Sequence, residues 1–252
     1  MHGGWRQRKF EMEKTYVDEL VPIGTMIIRA MSTATSGRRS TIRRKAMMNT
    51  TDEPEIRRPA PPGQSIGRGA ATKERIVDAA SDLFYAQGLR AVSADKIIER
   101  AGITKVTFYR HFPTKDDLIV AYLERRAAWE RLVILAAIEA SHGEADEAIR
   151  LVSDGIGLEA CSTGFRGCPF INAAAEYPDA THPVRKAVDS HRSWYLAMLN
   201  KLTASIGIDD PTVADELMML RDGAMVTGHL GDAKTVGNAL LSASRAVLRL
   251  PR

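Results

Sequence analysis

The chain has only two cysteines in 252 residues, too few for a small secreted fold stapled by disulfides. Cys161 and Cys168 stand seven apart, not at the Cys-x-x-Cys spacing of a zinc site. No apolar run reaches the ~18 residues of a membrane helix. Val21 to Ile28 is short, broken by Pro22 and Gly24, preceded by acidic residues and followed by no good cleavage site, so a secretory signal is not expected. Catalytic signatures are missing: there is no Gly-x-Ser-x-Gly, no Walker loop and no His-Glu-x-x-His. His182 and His191 lie nine apart across a proline. Asp116–Asp117 and Asp209–Asp210 fall where helices should begin, and a helix N-terminus favours negative charge without any catalysis. No enzyme, metal or cofactor is expected. Alternating strand patterns are almost absent, and no internal repeat or low-complexity segment follows residue 70.

What is present is an unequal distribution of charge. Residues 1–70 hold 13 Lys/Arg against 7 Asp/Glu, residues 71–126 hold 10 against 8, and the remainder holds 12 against 16. The basic front suits a polyanionic partner and the acidic rear a solvated, non-DNA part. Residues 1–68 read as a disordered basic extension and linker, with Arg38-Arg39, Arg43-Arg44-Lys45 and Pro59-Ala-Pro-Pro-Gly63. Met31, Met47 and Met48 are alternative starts within it.

The stretch Ser93 to Lys115 carries the most specific chemistry. Ser93 is a helix N-cap, and Ile97 and Ala101 share the inner face of the short helix that follows. Gly102 supplies the left-handed residue that ends that helix, and Ile103 plugs the turn into the core. Thr104 caps a second helix, which Pro113 stops. Phe108 and Phe112 are four apart and bury together, while Val106 is forced outward. Thr104, Lys105, Thr107, Arg110 and His111 project elsewhere. Two short helices around a glycine turn, the second carrying an outward polar face, are the pattern of a helix-turn-helix that enters the major groove.

The run Ala101 to Leu118, with the preceding Thr72 to Gly88, resembles the DNA-binding region of the tetracycline-repressor (TetR) family over about residues 72 to 122. The resemblance implies an all-α fold, with a three-helix DNA-binding domain at 69–122 and a helical regulatory and dimerisation domain at 123–252. It implies phosphate contacts from Tyr109, His111 and Lys115, and a groove-facing set of Thr104, Lys105, Val106, Thr107 and Arg110. Ser93 would cap its helix and touch the DNA backbone. Arg110 or Lys105 is placed to pair with guanine O6 and N7, a contact worth roughly 1–3 kcal/mol of discrimination.

About nine helices are expected. The first spans Lys73 to Gln87, with Ile76, Ala79, Ala80, Leu83 and Phe84 on one face. The fourth runs from Lys115 to Ser141, with Leu118, Tyr122, Trp129, Leu132 and Leu135 turned inward. Gly and Pro punctuate the rear into 144–160, 169–177, 183–206, 211–230 and 232–250. The last two helices are rich in small residues, among them Gly223, Gly228 and Gly237. The resemblance implies that this pair forms a homodimer interface.

The resemblance also implies a small-molecule effector in the rear domain. Trp129, Phe165, Phe170, Trp194, Met198, Met225 and His229 are the candidate lining, with Asn172, Glu176 and His191 as candidate polar groups. Cys168, beside a helix start and near Arg166, is the candidate for a different function, a thiol-based redox sensor or redox protein. The function expected is a dimeric repressor released from a palindromic double-stranded operator by an effector. An effector-free architectural DNA binder is the remaining alternative. Such a protein belongs in the cytoplasm, on the nucleoid when DNA-bound, with no membrane partner.

Overall fold

The computed structural model describes residues 68–250, and every regular element among them is helical. The basic stretches and the proline-rich linker read in the extension lie outside the described residues. α1 covers Arg68–Gln87, α2 Ala94–Ala101 and α3 Lys105–His111. α4 is the long helix Lys115–Ala140, followed by α5 at Ala145–Ala160, α6 at Pro169–Glu176 and α7 at Pro183–Ser205. α8 spans Pro211–Leu230, and a short 3-10 turn at Ala233–Thr235 leads into α9, Val236–Val247. No helix among the described residues is long and apolar enough to cross a membrane.

The front of the molecule is built as its sequence dictates. Ile76, Ala79, Ala80, Leu83 and Phe84 of α1 are buried, and they pack with Ile97, Phe108 and Phe112. Phe108 is fully buried, which contributes roughly 1.5–3 kcal/mol. Ser93 accepts from the Lys96 amide and Thr104 from the Thr107 amide. Gly102 adopts φ 62°, where its N–H and that of Ile103 close the end of α2 on the Glu99 and Ile98 carbonyls. Thr114 and Asp117 form a reciprocal capping box at the start of α4.

The apolar core does not stop at the front helices. Cys168, Phe170, Ala173, Tyr177, Val184, Val188 and Met225 belong to the same cluster as α1 and α3. A second cluster lies in the rear, around Ile134, Ile149, Tyr195, Leu199 and Met218. The division expected at residue 122 falls inside the unbroken α4. The inward face of α4 also differs from expectation. Leu132 and Leu135 are 70% and 52% exposed, and Trp129 is only half-buried. Leu118 and Tyr122 are buried as expected, and the inward line is completed by Ile119, Leu123, Ala127, Glu130, Ile134 and Ala137. A leucine alone does not mark the core; the i, i+3, i+4, i+7 recurrence does, and here it runs through a glutamate.

Gly228 and Gly237 serve internal packing. A Cβ at Gly228 would sit 2.8 Å from the Ala160 side chain, and one at Gly237 3.1 Å from the Ser153 carbonyl of α5. Gly223 has open space instead. It lies one turn from Met219, which with Val226 and Leu230 leaves an exposed apolar stripe along α8.

Candidate nucleic-acid interface and interior cavity

α3 presents its outward face free of the protein's own packing. Val106 is 79% exposed, and Thr104, Lys105, Tyr109 and Arg110 are exposed beside it. Thr107 is half-buried, its hydroxyl 2.9 Å from that of Thr104. Tyr109 stands edge-on to the buried Phe108 ring, 5.2 Å between centroids, and is itself 42% exposed. Arg110 pairs with no carboxylate among the described residues. Lys105 lies 3.2 Å from Asp95, but both side chains are well exposed, and such a pair exchanges for a phosphate at little cost. Ser93 is exposed at the start of α2.

Two of the residues assigned to phosphates are less free than the resemblance implies. The Lys115 ammonium donates to the Arg90 carbonyl at 3.2 Å and the Val92 carbonyl at 3.0 Å, using two of its three donors. His111 is half-buried, and its Nε2 is buried without a partner, so a phosphate contact in this conformation has to use another atom. Both positions come from the family resemblance, and sequence does not reveal that Lys115 reaches across to the connection between α1 and α2.

Behind the reading head, α6 ties the two parts together. The Glu176 carboxylate accepts from the backbone N–H of Leu89 at 2.8 Å and of Arg90 at 2.7 Å. Gly88, at φ +92°, brings the backbone within reach; a Cβ there would lie 3.2 Å from Glu176 Oε1. Next along the chain, the Tyr177 hydroxyl donates to Asp116 at the start of α4, and His182 Nε2 lies 3.3 Å from the same carboxylate. Burial and the neighbouring Asp116 charge push the Tyr177 hydroxyl up to about 12. At the other end of α6, the Tyr85 hydroxyl of α1 donates to the Gly167 carbonyl and accepts from the Arg166 N–H. Glu176 is therefore a strut between the parts and not a pocket residue.

Two adjoining cavities of about 50 Å³ each lie between α4, α5, α7 and α8, the second bordered also by Leu240 and Ser244 of α9, each several times the ~10–15 Å³ that a single water needs. They share Ile134, Val152, Ile156, Tyr195 and Arg221. Of the lining residues expected from sequence, Trp129 and Met225 line the first cavity and Met198 the second. Phe165, Phe170, Asn172, Glu176, Trp194 and His229 do not line either. Phe170 stacks on His191 at 3.7 Å. Asn172 is exposed and donates to the Arg166 carbonyl, and His229 Nδ1 lies 3.2 Å from the Phe165 carbonyl. Trp194 packs edge-on against Tyr195. Cys168 reaches the cavity wall through Arg221, and His191 through Glu130 and the Tyr195 ring.

Those partners were missed in the sequence. Glu130 and Arg221 are buried, at 6% and 7% exposure. Arg221 donates from Nη2 to Glu130 at 3.3 Å, and from Nη1 to Asp222 and to Cys168 Sγ, each at 3.1 Å. Glu130 also accepts from Arg126 Nε at 3.0 Å and faces His191 Nε2 at 3.2 Å, while Arg126 pairs with Glu159. Burial works against the Glu130 charge, but the His191 contact and the two arginines outweigh it and hold the carboxyl down at about 2. Burial pushes the Tyr195 hydroxyl up to about 12, so it stays protonated. One signal pointed to these residues: Glu130 and Arg221 occupy inward positions of otherwise apolar helical repeats, Ile134 four residues after Glu130, Leu217 and Met225 four residues either side of Arg221.

The model of bacterial regulatory proteins of the tetR family matches residues 76–122, which take in most of α1, all of α2 and α3 and the start of α4. SCO4454, a TetR-family transcriptional regulator from Streptomyces coelicolor, is 41% identical in sequence, with a TM-score of 0.64 over 71% of this chain and 94% of its own. The transcriptional regulator SrpR of Pseudomonas putida is 33% identical over 86 residues, 28% of this chain and 40% of its own. Three curated regulators of this kind, SrpR among them, are covered over only 37% to 63% of their own length. The multidrug binding protein EbrR, solved with malachite green, shares the fold at 21% identity and a TM-score of 0.56, over 71% of this chain and 98% of its own.

Proposed function

Because the chain belongs to the TetR family of bacterial regulatory proteins, a family of DNA-binding transcriptional regulators, we propose that it is a dimeric repressor released from a palindromic operator by a small molecule. The observation that carries this reading is the outward face of α3, where Thr104, Lys105, Val106, Tyr109 and Arg110 stand clear of the core. Arg110 and Lys105 read base edges; Tyr109, Ser93 and the free donor of Lys115 hold phosphates. The second copy docks through α8 and α9, where Met219, Val226 and Leu230 leave apolar surface beside Gly223. Two copies then present two recognition helices about 34–36 Å apart, one duplex turn.

Release works as a shift between two arrangements of the dimer. An effector filling the cavities favours the arrangement in which the recognition helices are wrongly spaced, with a coupling typically of about 1–3 kcal/mol. α4 carries the displacement as a rigid helix, and the Glu176 strut passes it to the Leu89–Arg90 turn. EbrR, of the same fold, is a multidrug binding protein, which supports an effector site here. Selection of bound fragments from random DNA tests the reading: a palindrome with half-sites one turn apart is expected, and recovery of random sequence would refute it.

A second reading, thiol sensing at Cys168, has the Arg221 contact in its favour, the guanidinium Nη1 donating to the Sγ at 3.1 Å. Against it, Cys168 is 2% exposed. It requires that peroxide weaken DNA binding by the native chain and leave Cys168→Ser unaffected; equal responses would dismiss it.

A further inference from the structure

The charges around the cavity restrict what it can hold. The three charged residues that line the first cavity are Glu130, Glu159 and Arg221, and each already has a partner of opposite sign within the protein. Glu159 pairs with Arg126; Glu130 pairs with Arg126 and Arg221; Arg221 pairs further with Asp222, which Arg192 neutralises at 2.6 Å. Three arginines thus face three carboxylates. A charged guest would enter as an unpaired buried ion, or would have to break one of these pairs, and either is costly.

Beside the two ring nitrogens of His191, one arginine donor in this network is left over. The Nε of Arg221 is buried and has no hydrogen-bond partner among the described residues. Its neighbours Nη1 and Nη2 are committed to Cys168, Asp222 and Glu130. Arg221 borders both cavities, as does Tyr195, whose ring lies 5.3 Å below the guanidinium. A buried donor without an acceptor is costly, and an oxygen brought by a guest removes that cost. The rest of the shared wall, Ile134, Val152 and Ile156, is aliphatic.

We infer that the effector is an uncharged, mainly apolar molecule with one accepting oxygen, of the ketone, ester or lactone class, which takes the Arg221 Nε–H. This rests on the effector reading above and adds the chemistry of the guest. Removing the oxygen loses a hydrogen bond to a charged donor, roughly a tenfold effect on affinity. Adding a charge of either sign costs at least as much.

The test uses four probes of equal size: acetophenone, ethylbenzene, benzoate and benzylammonium. Each is titrated into the full chain while the indole N–H resonance of Trp129 in the cavity wall is followed. Acetophenone is expected to bind roughly tenfold tighter than ethylbenzene and than either ion. Arg221→Lys keeps a positive charge opposite Glu130 but lacks Nε, and is expected to bring acetophenone down to the level of ethylbenzene. If that variant does not fold, the four-probe ranking on the native chain decides alone. Equal binding of ethylbenzene, or tighter binding of benzoate or benzylammonium, overturns this inference and leaves an effector site standing. Failure of all four probes to move Trp129 overturns the inference and the effector reading together, and leaves DNA recognition untouched.

Discussion

Replacing Glu176 by alanine removes one side chain from α6 and frees two backbone donors in a different part of the molecule. The carboxylate holds the Leu89 and Arg90 N–H groups at 2.8 and 2.7 Å. Hydrogen bonds to a charged group are worth about 1.5–3 kcal/mol each. The bond to Leu89, a residue only 4% exposed, should count near that range, while the bond at the exposed Arg90 counts less because water replaces the acceptor. The loss expected is therefore about 3 kcal/mol. For a chain of this size 1 kcal/mol moves the melting temperature by roughly 2–4 °C, so the variant should melt about 6–12 °C lower. The sharper readout is local. Amide hydrogen exchange at Leu89 and Arg90 should accelerate by more than at the core of α1, because the strut is what protects them. Glu176→Gln keeps one acceptor and should fall between. A variant that melts within 2 °C or so of the native chain, with Leu89 and Arg90 exchanging as before, would refute the strut and the route by which the rear part positions the reading head.

Further consequences follow from the buried charges, the close helix contact and the exposed stripe. Glu130 titrates at about 2 when folded against 4.5 for the ordinary side chain, so it stabilises the fold above pH 4.5 and that contribution, about 3 kcal/mol, is lost as pH falls toward 2. Glu130→Gln should be less stable at neutral pH and should show a flatter acid limb in urea titrations run between those values. Gly157→Ala would place a Cβ 2.9 Å from the Gly237 Cα, backbone against side chain with nothing free to move; overpacking of this kind costs about 1–3 kcal/mol, more than alanine returns in helix propensity, and thermal melting should show the loss. Met219→Glu combined with Val226→Glu puts two charges on the α8 stripe and should convert a dimer into a monomer by light scattering, with DNA affinity falling roughly 100-fold through lost bivalency.

The reading head was legible in the sequence because every local signal agreed. Ser93, Gly102, Thr104 and Pro113 each punctuate a helix by a mechanism that acts within a few residues, and Phe108 and Phe112 fix which face is buried. Most rear helices were delimited by the same logic of Gly and Pro, although the last segment proved to be a 3-10 turn followed by a shorter helix. The interior was not legible. The Glu130–Arg221 contact joins residues 91 apart, and no local rule pairs them. The aromatic residues chosen as pocket lining follow from size alone, and Phe170 and Trp194 found ring partners instead of a cavity. Glu176 was read as a polar pocket group because its partners are backbone amides, which sequence does not distinguish from one another.

That the exposed face of α3 holds and reads a duplex is tested most directly at Arg110, which is exposed and pairs with no carboxylate among the described residues. The measurement is the affinity of the native chain and of Arg110→Ala for a selected operator fragment and for random competitor DNA at the same salt. The variant is expected to keep its melting temperature, to lose roughly 10- to 100-fold in operator affinity per site, and to keep most of its weak binding to random DNA. Unchanged operator preference in a folded Arg110→Ala, or no preference for any DNA in the native chain, would contradict it.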